Sequence, residues 1–261
     1  MSEKRVNYDV IAPGYDERYP EMVEDEPRAK ALLDLARSLN ASRILEVGCG
    51  TAHWLAALTP VTSQLFGLDT SAGMLHQARA HKVALRLTRG AATGLPFAND
   101  SFDLVYCVDA IHHFGDVPLF VAEAFRVLRP GGMLAIIGND PHSGEVVWYG
   151  YQYFEGVYAT DLQRFPPHKD LVRWMENTGF AAVKPTQVEY LGESKVGREI
   201  WNDPFLKKNA NSQFALLSDE VYNAGLEKIK SELAEAETHG ETLVFDSRWP
   251  VIMLSGQKPG N

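Results

Sequence analysis

Residues 43–58 read "RILEVGCGTAHWLAAL" and set Glu46, Gly48 and Gly50 where an apolar run meets a helical pattern. A plain turn needs at most one glycine, so two imply that something comes close to the backbone. A carboxylate directly before such glycines suits a ligand with positive charge and serves no purpose beside a pyrophosphate. A second group with chemical potential lies in "VDAIHHF", where His112 and His113 stand side by side. Imidazole exchanges protons near neutral pH, so either residue is a candidate general base. The alternative is that one caps local backbone while the other lines a wall.

Short, β-rich apolar runs position these residues: "RILEVG" (43–48), "SQLFGLD" (63–69), "VALRLT" (83–88), "FDLVYCV" (102–108) and "GMLAIIG" (132–138). Helical patterns separate them, among them "HWLAAL", "AGMLHQARA" and "VPLFVAEAFRVL". This alternation predicts an α/β fold, a doubly wound parallel sheet with helices on both faces. A helix over 169–180, a strand over 181–191 and a strand pair within 242–256 follow. No internal repeat or low-complexity segment interrupts the pattern. In such sheets a ligand sits beyond the carboxyl ends of the strands, where strand order reverses. Glu46, Gly48 and Gly50 end the first strand, and the two histidines lie just beyond the fourth.

Composition narrows the partners. The chain has 261 residues, 45% of them hydrophobic and 23% charged, and a net charge of −9. That balance argues against nucleic acid, whose phosphates need a basic face. Two cysteines, Cys49 and Cys107, exclude a disulfide framework and a cysteine-rich metal site, and no metal is expected. No stretch approaches a membrane span and the start lacks an apolar leader, so a cytoplasmic protein without membrane contact is expected. Two ligands compete for the glycine loop. The nicotinamide fingerprint needs a third glycine where this chain has His53. S-adenosylmethionine (SAM), with its sulfonium and amino acid, meets Glu46 better, and the glycine test favours it.

The motifs then carry a resemblance. "ILEVGCGTA" resembles the first motif of class I SAM-dependent methyltransferases, and "FGLDTSAGML" the second. "GLPFANDSFDLVYCVDAIHHF" is similar to the fourth-strand region of the small-molecule group called type 11, which includes ubiquinone-biosynthesis enzymes. "EAFRVLRPGGMLAI" and the N-terminal "YDVIAPGYDERY" extend the likeness across roughly residues 7 to 190. The resemblance implies a Rossmann-like seven-stranded sheet, six strands parallel and the last antiparallel, with an inserted helical lid. It implies that Asp69 takes both ribose hydroxyls of SAM, since one carboxylate has two acceptor oxygens. Cys49 lies in the glycine loop, Thr70 and Met74 flank the nucleoside, and Val108 lies under the methionine part. Ala91 stands where relatives often carry an aspartate for the adenine amine, leaving the backbone N–H of Ala92 to meet the ring. Glu46 either touches SAM or holds the loop. Tyr15 contacts SAM from a cover that also carries Tyr8 and Tyr19. Asp140, just past the fifth strand, orients a histidine or begins a turn.

One domain over 1–261 is expected. Residues 1–40 form the helical cover, 41–140 the SAM-binding core, and 141–168 and 192–240 insertions on the substrate side. "WYGYQYFEGVY" (148–158) offers Trp148, Tyr149 and Tyr153 as substrate-wall candidates, although most of its rings suit the core of a helix. Ser218 before Asp219 and Glu220 is a helix start. The expected activity is methyl transfer to a small organic acceptor on oxygen or carbon, by a monomer or homodimer. The alternative is a SAM-binding regulatory protein without catalysis.

Overall fold

The structure, a computed structural model, describes residues 6–18, 26–80 and 83–260. Tyr19 lies outside them. In chain order the helices are α1 (Tyr8–Ile11), α2 (Pro27–Ser38), α3 (His53–Ala57), α4 (Ala72–Ala78), α5 (Val117–Val127), α6 (Tyr149–Tyr153), α7 (Val157–Arg164), α8 (His168–Thr178), α9 (Ser212–Ala215) and α10 (Asp219–His239). The strands are β1 (Ile44–Val47), β2 (Leu65–Asp69), β3 (Leu85–Arg89), β4 (Phe102–Val108), β5 (Leu128–Gly138), β6 (Val147–Trp148), β7 (Ala181–Val196) and β8 (Val244–Gln257). The chain divides into two compact units. The larger comprises Tyr8–Asn139, Pro166–Glu189 and the chain from Val251 onward; the smaller comprises Asp140–Phe165 and Tyr190–Pro250 with Asn7 and the residue before it.

In the larger unit the strand order is β3-β2-β1-β4-β5-β8, with β7 also pairing β8. β1 to β5 are parallel to their neighbours and β8 is antiparallel to β5, giving the mostly parallel Rossmann-like sheet with an antiparallel last strand that the resemblance implies. All of β1 and β4 is buried, which explains why both read as unbroken apolar runs rather than alternating ones. The order reverses between β1 and β4, so the chain leaving each of them borders the switch point. α5 begins where Asp116 accepts a hydrogen bond from the Leu119 N–H, and it buries Val117, Phe120, Val121, Ala124 and Val127 against the sheet. Phe120 and Val121 are wholly enclosed, each contributing about 2 kcal/mol by leaving water.

The run 242–256, expected as a strand pair, is one strand, β8. Its partners change along its length. Ser247 and Arg248 pair β6 within the smaller unit, and residues 252–257 pair β5 within the larger. Pro250 falls between these two ladders, and β8, which also pairs β7, runs through it. The smaller unit has its own core, built from Trp148, Tyr149, Phe154, Phe214, Ile229 and Phe245. The aromatic run 148–158 divides at Gly156, whose φ of +78° separates α6 from α7.

Candidate functional site

The glycine loop is tied to the strand beside it. The N–H groups of Gly48 and Cys49 both donate to the Leu68 carbonyl, at 2.7 and 3.0 Å. Gly48 has φ +73° and Gly50 φ +52°, conformations that favour glycine. Their missing side chains face different surroundings. A Cβ on Gly48 would lie 2.7 Å from the Ala110 Cβ and 3.1 Å from the Phe114 ring, whereas a Cβ on Gly50 would meet nothing within 4 Å. Gly48 is thus glycine because the chain after β4 packs on it, and Gly50 leaves open space. The fingerprint position held by His53 is buried; its ring packs edge-on against Trp54 and lies 3.4 Å from Glu26.

Asp69 ends β2 and turns its carboxylate back onto this loop. Its Oδ2 accepts from the Gly50 N–H and its Oδ1 from the Ser71 N–H, both at 2.8 Å. Burial pushes its carboxyl above the usual aspartate range, against the lowering effect of the N–H groups of Ser71, Gly50 and Thr70. Glu46 is deeper, 1% exposed, and accepts a 3.2 Å bond from the Tyr106 hydroxyl. Burial raises its carboxyl well above the ordinary range, partly offset by the Tyr106 bond. Cys49 is buried, its Sγ near the Gly50 carbonyl.

The other expected nucleoside contacts differ in exposure. Thr70 and Ala91 are exposed, whereas Met74, Ala92 and Val108 are buried, with Met74 in the core face of α4. Strand register sets Asp69 opposite Arg89, and the Gly90 N–H donates to the Asp69 carbonyl at 3.0 Å. Residues 90–92 therefore leave the sheet beside the Asp69 carboxylate.

The N-terminal segment is fastened to the same elements. Asp9 accepts from the Ser71 hydroxyl at 2.6 Å and the Gly73 N–H at 2.8 Å, and these bonds hold its carboxyl below the usual range. Asp16 accepts from the Thr51 hydroxyl at 2.6 Å. Tyr8 meets Tyr15 edge to face, their centroids 6.2 Å apart. A 2.7 Å hydrogen bond joins Tyr8 Oη to His113 Nε2, and the His112 and His113 rings lie 3.9 Å apart. The sequence offered Tyr8 only as a cover residue. Its bond to a residue 105 positions away has no local signal. Arg28 is a further residue the sequence did not single out. It bridges Asp109, directly after β4, and Glu189, both at 2.5 Å, and lies over Trp54.

The structure thus brings together Tyr15, Glu46, Gly48, Cys49, Gly50, Asp69, Thr70, Ala91, Ala92, Val108, His112 and His113 at the carboxyl edge of one sheet. Asp140, Trp148, Tyr149 and Tyr153 belong to the smaller unit. There Asp140 accepts from the His142 N–H and caps the turn Pro141–Ser143. Trp148 stacks on Phe214, the buried Tyr149 donates to Asp203 at 2.9 Å, and Tyr153 donates to Glu232 at 2.7 Å. Among the described residues no group of three or more His, Cys, Asp or Glu side chains is arranged to hold a metal, and no helix is long and apolar enough to cross a membrane.

Comparison with known proteins addresses this geometry. Residues 45–136 match the family model described as methyltransferase domain. A phthiotriol/phenolphthiotriol dimycocerosates methyltransferase of Mycobacterium leprae is 38% identical over 115 residues, covering 42% of this chain and 43% of that protein. A demethylmenaquinone methyltransferase of Staphylococcus carnosus is 31% identical over 146 residues, covering 53% and 61%. The chain thus spans about half the length of these curated relatives. Among solved structures, phosphoethanolamine N-methyltransferase 2 of Haemonchus contortus in complex with SAM aligns with a TM-score of 0.59 at 18% identity, over 96% of this chain and 57% of that one. At that identity the likeness speaks for the fold. Fold and family match agree: the stretch that matches the methyltransferase-domain model, residues 45–136, is carried on a Rossmann-like sheet.

Proposed function

We propose that this protein is an enzyme that transfers a methyl group from SAM to a small organic acceptor, on oxygen or carbon. The observation that carries the reading is the pairing of Asp69 with Gly50. A half-buried carboxylate is fixed by two backbone N–H groups at the end of β2, beside a glycine whose missing side chain opens onto free space. A ribose fits there, with its two hydroxyls donating to the remaining lone pairs of Asp69. The main chain at Ala91 and Ala92, adjacent in the sheet register, meets the base, and Val108 underlies the methionine chain. Tyr15 covers the cofactor from the N-terminal segment.

Bound there, SAM supplies an electrophilic methyl on a sulfonium that is already a good leaving group. Little bond activation is left for the protein, whose work is alignment and exclusion of water. Asp69 supplies the carboxylate of this edge, while burial favours the neutral form of Glu46. For a hydroxyl or acidic carbon acceptor, His112 would take the departing proton on a ring nitrogen as the acceptor's electron pair bonds the methyl carbon and the carbon–sulfur bond breaks, its electron pair leaving with the thioether product. His113 is held by Tyr8 and positions its neighbour. A small-molecule acceptor suits the net charge of −9.

Calorimetry with SAM and with NAD tests the ligand, and methyl-labelled SAM incubated with a metabolite extract tests the reaction. SAM binding together with label in a small-molecule product is the expected result. SAM binding without any labelled product supports the regulatory alternative, and binding of NAD alone removes both.

A further inference from the structure

The segment that leaves β3 has little side-chain chemistry. Residues 91–94 read Ala-Ala-Thr-Gly, so Thr93 supplies the one polar side chain among them. A base lying beside Asp69 is therefore read by main-chain groups. Such reading is only as selective as the loop is well placed, because misplacement by about 1 Å weakens a hydrogen bond severely. The loop has no ladder of its own. Within it the Gly94 N–H reaches the Ala91 carbonyl at 3.3 Å and the Phe97 N–H the Leu95 carbonyl at 2.8 Å.

Its position comes from one turn of α5. Glu123 Oε2 accepts from the Leu95 N–H at 2.8 Å, and Arg126 Nη2 donates to the Leu95 carbonyl at 2.9 Å. Both main-chain groups of Leu95 are thus held by two residues three apart on a helix. Arg126 Nη1 also donates to the Phe97 carbonyl at 2.8 Å and to Asn99 Oδ1 at 2.9 Å. The remaining donors of Arg126, Nε and Nη2, reach the two oxygens of Glu123 at 2.7 Å each. The guanidinium's fork is fully used, a geometry that an ammonium cannot reproduce. The Leu95 side chain is 3% exposed and locks the loop from below.

We propose that Glu123 and Arg126 are positioning residues for base recognition: from α5 they set the main chain of residues 90–97, and through it the selectivity for adenine of a segment whose reading groups are main-chain ones. The inference rests on the SAM reading above and assigns to the ion pair a role in specificity beyond stability. A main-chain N–H directed at the ring accepts adenine, whose N1 is a bare acceptor. It rejects hypoxanthine, whose N1 carries a hydrogen.

The test compares S-adenosylhomocysteine with S-inosylhomocysteine by calorimetry on the full chain. The wild type should prefer the adenine compound by about tenfold or more, the loss expected when one buried hydrogen bond becomes a donor–donor clash. Arg126→Met should bind the adenine compound about tenfold more weakly and bring the ratio towards one. Glu123→Gln keeps an oxygen for the Leu95 N–H, and its ratio should fall by a smaller factor; this variant decides the matter if Arg126→Met does not fold. A purely structural ion pair would lower the melting temperature and leave the ratio alone, and that result overturns the proposal. A wild type that binds neither compound overturns the SAM reading and this inference together, whereas a wild type that binds both equally overturns this inference alone.

Discussion

Asp69 carries more of the proposed site than any other side chain, because the N–H groups of Gly50 and Ser71 fix one oxygen each of the carboxylate proposed to take the ribose. Asp69→Ala removes two charge-assisted hydrogen bonds, about 3 kcal/mol together, or roughly a hundredfold in SAM affinity. The fold should survive by circular dichroism, and unchanged affinity by calorimetry would remove Asp69 from the site. The position of this carboxylate was legible because a strand-end acid after a glycine-rich turn is a local pattern. The division of labour between the two glycines was not. Both read as room for a ligand, yet Gly48 is closed over by Ala110 and Phe114, some sixty residues further along the chain. Glu46 tells the same story. The sequence sets it before the glycines but cannot show Tyr106, on the neighbouring strand, reaching its carboxyl beneath the loop.

At the scale of elements, buried strands announced themselves through unbroken apolar runs, and capped helices through their first residues. Ser218 accepts from the Val221 N–H and opens α10 as its position before two acids implies. β8 was less legible, because a proline inside an apolar run normally ends a strand, and the pairing with β5, β6 and β7 that carries it on is non-local. The N-terminal cover is fastened through Asp9, Asp16 and Tyr8 to α4, the glycine loop and His113. Adding SAM should therefore raise hydrogen-exchange protection across residues 8–18, and an unchanged exchange pattern there would argue against a cover. Gly225 gives a second test within one helix. By propensity alone, Gly→Ala inside the 21-residue α10 stabilises by about 1 kcal/mol. Here the added methyl would lie 2.4 Å from the Phe154 ring, and overpacking of that kind costs about 1–3 kcal/mol. Gly225→Ala should lower the urea midpoint, opposite to what the helix scale says.

For the whole molecule, the two units differ in how they spend buried polar groups. The larger unit sets Glu46, Asp69 and Asp103 at the ends of its sheet, where backbone N–H groups and hydroxyls meet them. The smaller unit encloses Asp161 completely, among Tyr151 at 3.0 Å, Gln213 at 3.1 Å and Arg164 at 3.7 Å. Burial outweighs those partners and pushes its carboxyl up to about 6 from an ordinary 3.8. A carboxyl raised in the folded state favours folding below the unfolded value and loses that advantage as pH climbs through the folded one. The window is therefore pH 4 to 6, and between pH 5 and 7.5 this group alone should remove roughly 1–2 kcal/mol of stability. The acids whose carboxyls are held low, such as Glu237 beside Arg198 and Asp246 beside Ser194, act below pH 4.5. Burial raises Asp69 and Glu46 as well, so the difference between the wild type and an Asp161 variant isolates this group. Asp161→Asn keeps the shape and has no proton to lose. Urea unfolding at the two pH values should show the wild type weakening as pH rises and the variant weakening less by that amount. Parallel behaviour of the two proteins would mean that the buried carboxyl titrates at its ordinary value, with Arg164 holding it ionised.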